Sequence, residues 1–466
     1  MDTVLAAPVP AAPPSSFLIP PAPKVHPRPL GGSVLGELRV ALEMGRSLVA
    51  AYSEDDYDNL ITPFVFMGQP GLVVSDPAGV RQVLTAPNYR RPAKAARPLR
   101  AMVGEGLLLS EGETWKRQRK SLAPVFTPAA TGGLLPHFVA AGAGLTEALE
   151  GQERANLAQA FHHATLDAVL RALFSRQADA EGAALADLAR RYMEGPAHFN
   201  LMDFVSQGAD DLTFLDGHRR RLGQRWLKAV DAIIAARRND PHPEGRDLLD
   251  RLLAARDEDG APLPDQEIRD QCSSMLAAGF ETTSRLLFWA AYLLALDPAT
   301  QDRVRAEVQA FPAERVTSLD DLKAWPLLRS VLFETLRLYP SAPLIARQAI
   351  EADEILSCAV VPGCMVTISP WLIHRHRKLW DNPTAFQPDR FIDQPHPWGN
   401  EAFLPFGAGP RVCIGAGFAL AEAQIILASL LARFSIAMGS DRPVLPKASI
   451  TLGPDHEPDF VLTDRF

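Results

Sequence analysis

Phe406-Gly407-Ala408-Gly409-Pro410-Arg411-Val412-Cys413-Ile414-Gly415 is the stretch on which the fold of this 466-residue chain turns. A single cysteine stands behind two glycines and an arginine, directly before a long apolar run. Phe418, Leu420, Ile425, Ile426, Leu427, Leu430 and Leu431 recur at the spacing of a buried helix. The sulfur is therefore expected beside a helix N-terminus, where free N–H groups and the macrodipole favour a thiolate. Gly409 and Gly415 let the backbone pass close to a large group, and Arg411 puts a cation two residues from the sulfur. Most lone cysteines are simply small buried hydrophobes. A thiolate on a glycine-lined loop, with the Arg411 cation aimed at an anionic group, suits instead an axial ligand to haem iron.

Outward from that loop, the bulk properties set limits. Length alone is compatible with about three domains of ~150 residues. The motifs run from Trp115 to Cys413 and converge on one site, so one large domain is expected over residues 30–466. A hydrophobic content of 47% suffices for a sizeable core, and a net charge of −8 argues against general nucleic-acid affinity. Cys272, Cys358, Cys364 and Cys413 are too few for a disulfide framework and fit a reducing cytoplasm. Cys358 and Cys364 flank the Pro362-Gly363 turn, but a zinc site needs more ligands than these two. Residues 1–29, proline-rich from Pro8 to Pro29, read as a stiff, extended leader with neither a signal peptide nor a membrane anchor.

Phe64–Met67 and Leu72–Val74 read as a hairpin through Gly68-Gln69-Pro70-Gly71, and Asp76-Pro77 as the start of a helix. Arg90 to Gly106 has weak periodicity and is expected to be a loop. A helix follows from Thr114 to about Ala123, and residues 130–260 are helical in pattern. Gln266–Leu296 reads as one long helix stopped by Asp297-Pro298, and Pro326–Leu338 as another. Ile345–Pro370 and the last 25 residues lean to strand. The class is mainly α with a small β-rich portion.

Several patterns carry chemistry. Glu334 and Arg337 share a helix face amid Leu332, Phe333 and Leu336, with Arg390 as a third member of a buried charge cluster. Gly279 costs the long helix about 1 kcal/mol relative to alanine. It lies in Ala278-Gly279-Phe280-Glu281-Thr282-Thr283, where Ala278 and Thr282 share a small, nearly apolar face. The plainer account is a core helix whose threonines bond back to carbonyls four residues earlier. Trp115 and Arg119 sit i, i+4, an indole donor beside a guanidinium, a pairing suited to a carboxylate. Lys116, Arg117 and Lys120 share that helix as either a solvated face or a dock for an acidic protein. His374-Arg375-His376 reads as surface or cofactor-adjacent packing, with no third metal ligand nearby.

Together these motifs resemble the cytochrome P-450 superfamily across residues 30–466. The Cys loop matches its Phe-x-x-Gly-x-Arg-x-Cys-x-Gly signature, Glu334–Arg337 its Glu-x-x-Arg motif, and Pro388-Asp389-Arg390-Phe391 its meander. The resemblance implies haem b held between the long central helix and the Cys-loop helix, with Cys413 on iron. It assigns Phe406, Gly407, Arg411 and Gly415 to the haem cradle and Ala278 to the opposite face. Trp115, Arg119, Arg347 and Arg411 become propionate contacts, Thr282 serves dioxygen, and Glu281 relays protons. The expected function is a soluble, bacterial-type haem-thiolate monooxygenase that uses O2 to oxidise a hydrophobic small molecule. The candidate walls are Arg97–Leu108, Tyr192–Phe204, Ser274–Ala278 and Ala342–Ile345. Electrons would come from NAD(P)H through a reductase and a ferredoxin-type donor, and the protein would be a cytoplasmic monomer. The rivals are a peroxide-dependent peroxygenase or isomerase, and a non-catalytic haem binder.

Overall fold

The computed structural model describes residues 17–23, 25, 34–177, 180–198, 203, 216–241, 247–256, 260–394, 397 and 401–465. Helices dominate. The central helix, Asp265–Leu296, is buried along most of its length and packs on helix Leu157–Phe174. The Cys helix, Ala416–Arg433, packs on helix Pro128–Leu149, which in turn lies on Leu157–Phe174. Small residues set these distances. A side chain at Gly142 would run into the Ser429 hydroxyl, and one at Gly279 would sit 3.0 Å from Val169. Gly279 is therefore explained by close approach of the neighbouring helix. The Cys helix is long and apolar enough to cross a membrane, but most of it is buried inside the body.

The main sheet runs in the order Ile61–Phe66, Gln69–Val74, Met365–Ile368, Ile345–Ala349, Tyr89–Arg90. Its pairs are antiparallel except Gln69–Val74 with Met365–Ile368. A three-stranded sheet joins Arg154–Ala155, Phe460–Asp464 and Phe434–Met438. Central helix and sheet region are fastened by Trp289, whose ring stacks on Tyr339 at 4.0 Å and whose indole N–H donates to Leu452 O at 2.9 Å.

Most sequence expectations match: Asp76 caps Pro77–Thr85 through the N–H groups of Ala78 and Gly79, and Pro326–Leu338 has the expected bounds. Two do not. Arg90–Gly106 is no loop: Tyr89–Arg90 is a strand and Ala93–Val103 a helix. The internal Pro98 blurs its periodicity, while burial of Ala96, Leu99, Met102 and Val103 holds the helix together. Gly104, at φ +58°, ends it. The hairpin turns one step earlier than expected. Met67 and Gly68 both take positive φ (52° and 73°), the pair that matches strand twist, which leaves Gln69-Pro70-Gly71 in the strand. Of the leader, only residues 17–23 and 25 are described. Leu18 O accepts from Phe386 N at 2.8 Å, so this piece lies against the body. The rest of the leader lies outside the described residues.

Candidate active site

The loop before the Cys helix is built by its glycines. Gly407 and Gly409 have φ of +71° and +69°, and a Cβ on Gly409 would sit 2.6 Å from Leu84 O. Gly407 N donates to Leu404 O, Val412 N to Gly409 O, and Cys413 N to Phe406 O at 2.9 Å, folding the chain back on itself. Gly415 then caps Ala416–Arg433. Cys413 is reachable by water, yet the protein packed around it pushes its thiol pKa up. The Gly415 N–H and the Arg119 charge act against that shift. The two observations agree if the sulfur lines an interior hollow, and we read it so.

Behind the loop stands the predicted charge cluster, with Glu334 and Arg337 fully buried and Arg390 partly exposed. Arg337 donates to both Glu334 oxygens at 2.7 Å, and Arg390 Nε lies 3.4 Å from Glu334 Oε1. The remaining Arg337 donors reach the carbonyls of His374, Pro383 and Ala385, while Gln387 N donates to Glu334. His374 is thus no surface residue. Burial, with Arg337 and Arg375 nearby, pushes its pKa down to about 3, so a neutral Nε2 accepts from Leu404 N at 2.8 Å. Charge cluster, His374 and Cys loop form one hydrogen-bonded support.

Cations gather on the other side of the loop. Arg119 donates to Val412 O at 2.7 Å, the carbonyl next to Cys413. Arg411 lies over the Trp115 ring at 4.5 Å and pairs with Glu111 at 2.9 Å, so Trp115 serves as a stacking face for Arg411. Burial lowers the pKa of Arg119, Arg347 and Arg411 alike. Sequence reading missed a fourth guanidinium, Arg91, which donates to Leu108 O. Burial pushes it down to about 10, Glu111 opposes the shift, and the Arg411 and Arg347 charges add to it. Its signal was hidden in the stretch taken for a loop. Lys116 and Arg117 already pair with Glu113 and Glu267.

Solvent-reachable positions in the middle of the central helix are confined to Ala277, Ala278, Gly279 and Thr282. Ser274, expected on this open face, is covered: its hydroxyl donates to Val103 O. Thr282 donates back to Ala278 O at 2.8 Å and Thr283 to Gly279 O at 3.0 Å, the plainer account given above. The Ser341 hydroxyl donates to Thr282 O, and four residues on Ile345 Cδ1 lies 4.0 Å from where a Gly407 side chain would begin. This segment links the central helix to the Cys loop around one hollow. Glu281 points elsewhere, into contact with His162, Arg285 and Thr451. Phe280 is fully buried and meets the His162 ring edge-to-face, so it does not narrow the hollow. Part of the Tyr192–Phe204 wall lies outside the described residues. A separate groove of about 500 Å³, lined by Leu145, Asn156, His163, Asp167 and Arg171 among others, contains none of the predicted site residues.

The family model for cytochrome P450 matches residues 23–457. The chain belongs to the cytochrome P450 family. A cytokinin hydroxylase of Arabidopsis thaliana is 32% identical over 378 residues, covering 77% of this chain and 72% of the relative. A putative cytochrome P450 132 of Mycobacterium tuberculosis is 30% identical over 411 residues, covering 85% and 88%. Human cytochrome P450 4F12 is 30% identical over 402 residues, covering 78% and 75%. This P450 is therefore a haem-dependent monooxygenase that incorporates molecular oxygen.

Its residues fit haem. A reachable thiol on a glycine-shaped loop offers one soft ligand for iron. Arg91, Arg347 and Arg411 share the Glu111 carboxylate while Arg119 stands beside Cys413, an excess of cations suited to two propionates. Among the described residues, no group of three or more His, Cys, Asp or Glu is placed to hold another metal ion.

Proposed function

We propose that this P450 oxidises a hydrophobic small molecule at the hollow bounded by Cys413, Gly407 and the Ala278–Thr282 strip, taking electrons from separate partner proteins. The observation that carries the reading is the reachable thiol of Cys413, enclosed by the Cys loop and flanked by an excess of arginine. When bound, haem supplies oxygen activation, and thiolate ligation favours O–O cleavage. The chain's own residues do the rest. Arg91, Arg119, Arg347 and Arg411 would anchor the propionates and orient the ring. The glycines let the backbone lie against it. Thr282 donates to Ala278 O and keeps its oxygen free to accept in the hollow, and Glu281, the next residue, is the acid that would supply protons once its carboxyl group turns from His162, Arg285 and Thr451. The half-buried Leu344 and Ile345, on the segment that runs from the central helix to the Cys loop, give the wall an apolar character that selects apolar substrates.

We further propose NAD(P)H as the ultimate donor, through a reductase and a ferredoxin-type protein, and a cytoplasmic monomer. The basic face around Lys120 supports an acidic partner, although the pairing of Lys116 and Arg117 narrows it. The test is spectral. Protein loaded with haem, reduced and exposed to carbon monoxide should show the red-shifted band of thiolate ligation. Cys413→Ala and Cys413→His should lose it. A thiolate-type spectrum surviving Cys413→Ala would end the reading. Turnover with hydrogen peroxide alone, and none with ferredoxin and reductase, would favour a peroxygenase instead.

A further inference from the structure

Glu281 is the acid on which proton supply in the proposed reaction rests, and its surroundings raise a difficulty. The side chain is 1% exposed and sits between cations. Burial pushes its pKa up, but Arg285 and His162 outweigh that and hold it well below the usual carboxylate range. Such a carboxylate is ionised at neutral pH and has no proton of its own to give. Arg285 cannot lend one, because a guanidinium does not deprotonate in proteins. Imidazole can.

His162 comes from helix Leu157–Phe174, which packs along the central helix. Its Nε2 lies 2.7 Å from Glu281 Oε2, and its Nδ1 lies 3.1 Å from Ala158 O. Both ring nitrogens thus face acceptors, and the ring satisfies both only by donating from both. Phe280 packs edge-to-face against it at 6.0 Å, which fixes the ring plane. The other Glu281 oxygen, Oε1, is held by Arg285 Nε at 3.0 Å and Thr451 Oγ1 at 3.1 Å. One oxygen is pinned by a fixed cation and a hydroxyl, the other by a group that can release its proton.

We propose that His162 is the proton-holding partner of Glu281, storing the proton that this carboxyl group carries inward when it turns from the imidazole toward Thr282. The inference rests on the monooxygenase reading and deepens it. The step is balanced: the Nε2–H bond breaks, the Oε2–H bond forms, and imidazolium plus carboxylate become imidazole plus carboxylic acid. No net charge moves through the buried region, where an isolated ion would be costly. Solvent reloads the imidazole between turnovers. The charged and titratable groups facing the pair are Arg285 on the central helix and His163 on the imidazole's own helix, whose pKa burial and the His162 charge both lower. His162 is a positioning residue, since it acts through Glu281.

The test uses the haem-loaded ferric protein with 15N-labelled histidine, the His162 signals being assigned by their loss in His162→Gln. At neutral pH both nitrogens should show imidazolium shifts; a neutral tautomer across pH 5 to 9 overturns the proposal. The second measurement needs no substrate: oxygen consumption driven by a photoreduced flavin, partitioned between peroxide and water. His162→Gln should raise the peroxide share at least threefold and enlarge the solvent isotope effect. An unchanged partition, or one that changes only in step with lost haem or melting temperature, means a structural role alone and overturns it. If the wild-type protein lacks the thiolate spectrum, the monooxygenase reading fails while the nitrogen shifts still report on the pair.

Discussion

Two fully buried glutamates, one on helix Pro326–Leu338 and one on the Cys helix, have opposite surroundings. Glu334, behind the Cys loop, receives two bonds from Arg337, one from Gln387 N and a longer one from Arg390. Glu422, on the Cys helix facing Thr283, is as deeply buried, yet among the described residues neither of its oxygens has a hydrogen-bond partner. The Thr283 hydroxyl is already donated to Gly279 O and offers little opposing pull. Burial therefore pushes Glu422 well above the usual carboxylate range and keeps it neutral. A buried carboxylate stays ionised only where donors saturate it; otherwise it keeps its proton. Glu281 belongs with Glu334 in being saturated, but one of its donors is an imidazole.

The sharpest way to break the comparison is Glu334→Ala. It strands Arg337 without its anion and should cost about 3–5 kcal/mol, read by denaturant melts together with loss of haem. A cost under about 1 kcal/mol would mean that the carbonyls of His374, Pro383 and Ala385 satisfy Arg337 unaided. Next comes Gly409→Ala, where positive φ and the approach to Leu84 O act together; a loss of about 2 kcal/mol and weaker haem retention are expected. Arg91→Ala should speed haem transfer to an acceptor globin roughly tenfold, equivalent to about 1.4 kcal/mol, with the melting temperature of the haem-free protein little changed.

Glu422→Gln should have the smallest effect, under about 1 kcal/mol near pH 5, because it replaces one neutral group by another. It also sharpens the comparison through pH. The raised folded pKa of Glu422 makes its contribution complete below the unfolded value of 4.5 and progressively lost as pH rises toward the folded value. Glu422→Gln should therefore be more stable than the parent at pH 8, relative to the difference at pH 5. Glu281, depressed in the fold, has the opposite sign: its contribution is present above 4.5 and is lost as pH falls through the lowered value. Thermal melts of Glu422→Gln and Glu281→Gln from pH 4 to 8 should diverge in opposite directions.

Much of this was readable in one dimension. The Cys loop, the cap at Asp76, the long central helix and the Glu334–Arg337 pair rest on neighbours within ten residues, so spacing reveals them. Arg285, four residues from Glu281 on the same helix, was legible in the same way and was overlooked. Helix Ala93–Val103 was not, since Pro98 interrupts its periodicity and its stability comes from burial against other helices.

The amino-acid order by itself determined which loop presents a thiol and where the long central helix runs, because turn geometry and helical periodicity are local; the class of chemistry was implied by the resemblance of its motifs to the P450 family. Packing alone decided that His162 meets Glu281 across 119 positions, that Arg91 joins the other arginines, and that Glu422 is left without a donor. Burial and partnership across the chain set the charge of each of these groups, and neither property belongs to a residue until its neighbours are in place.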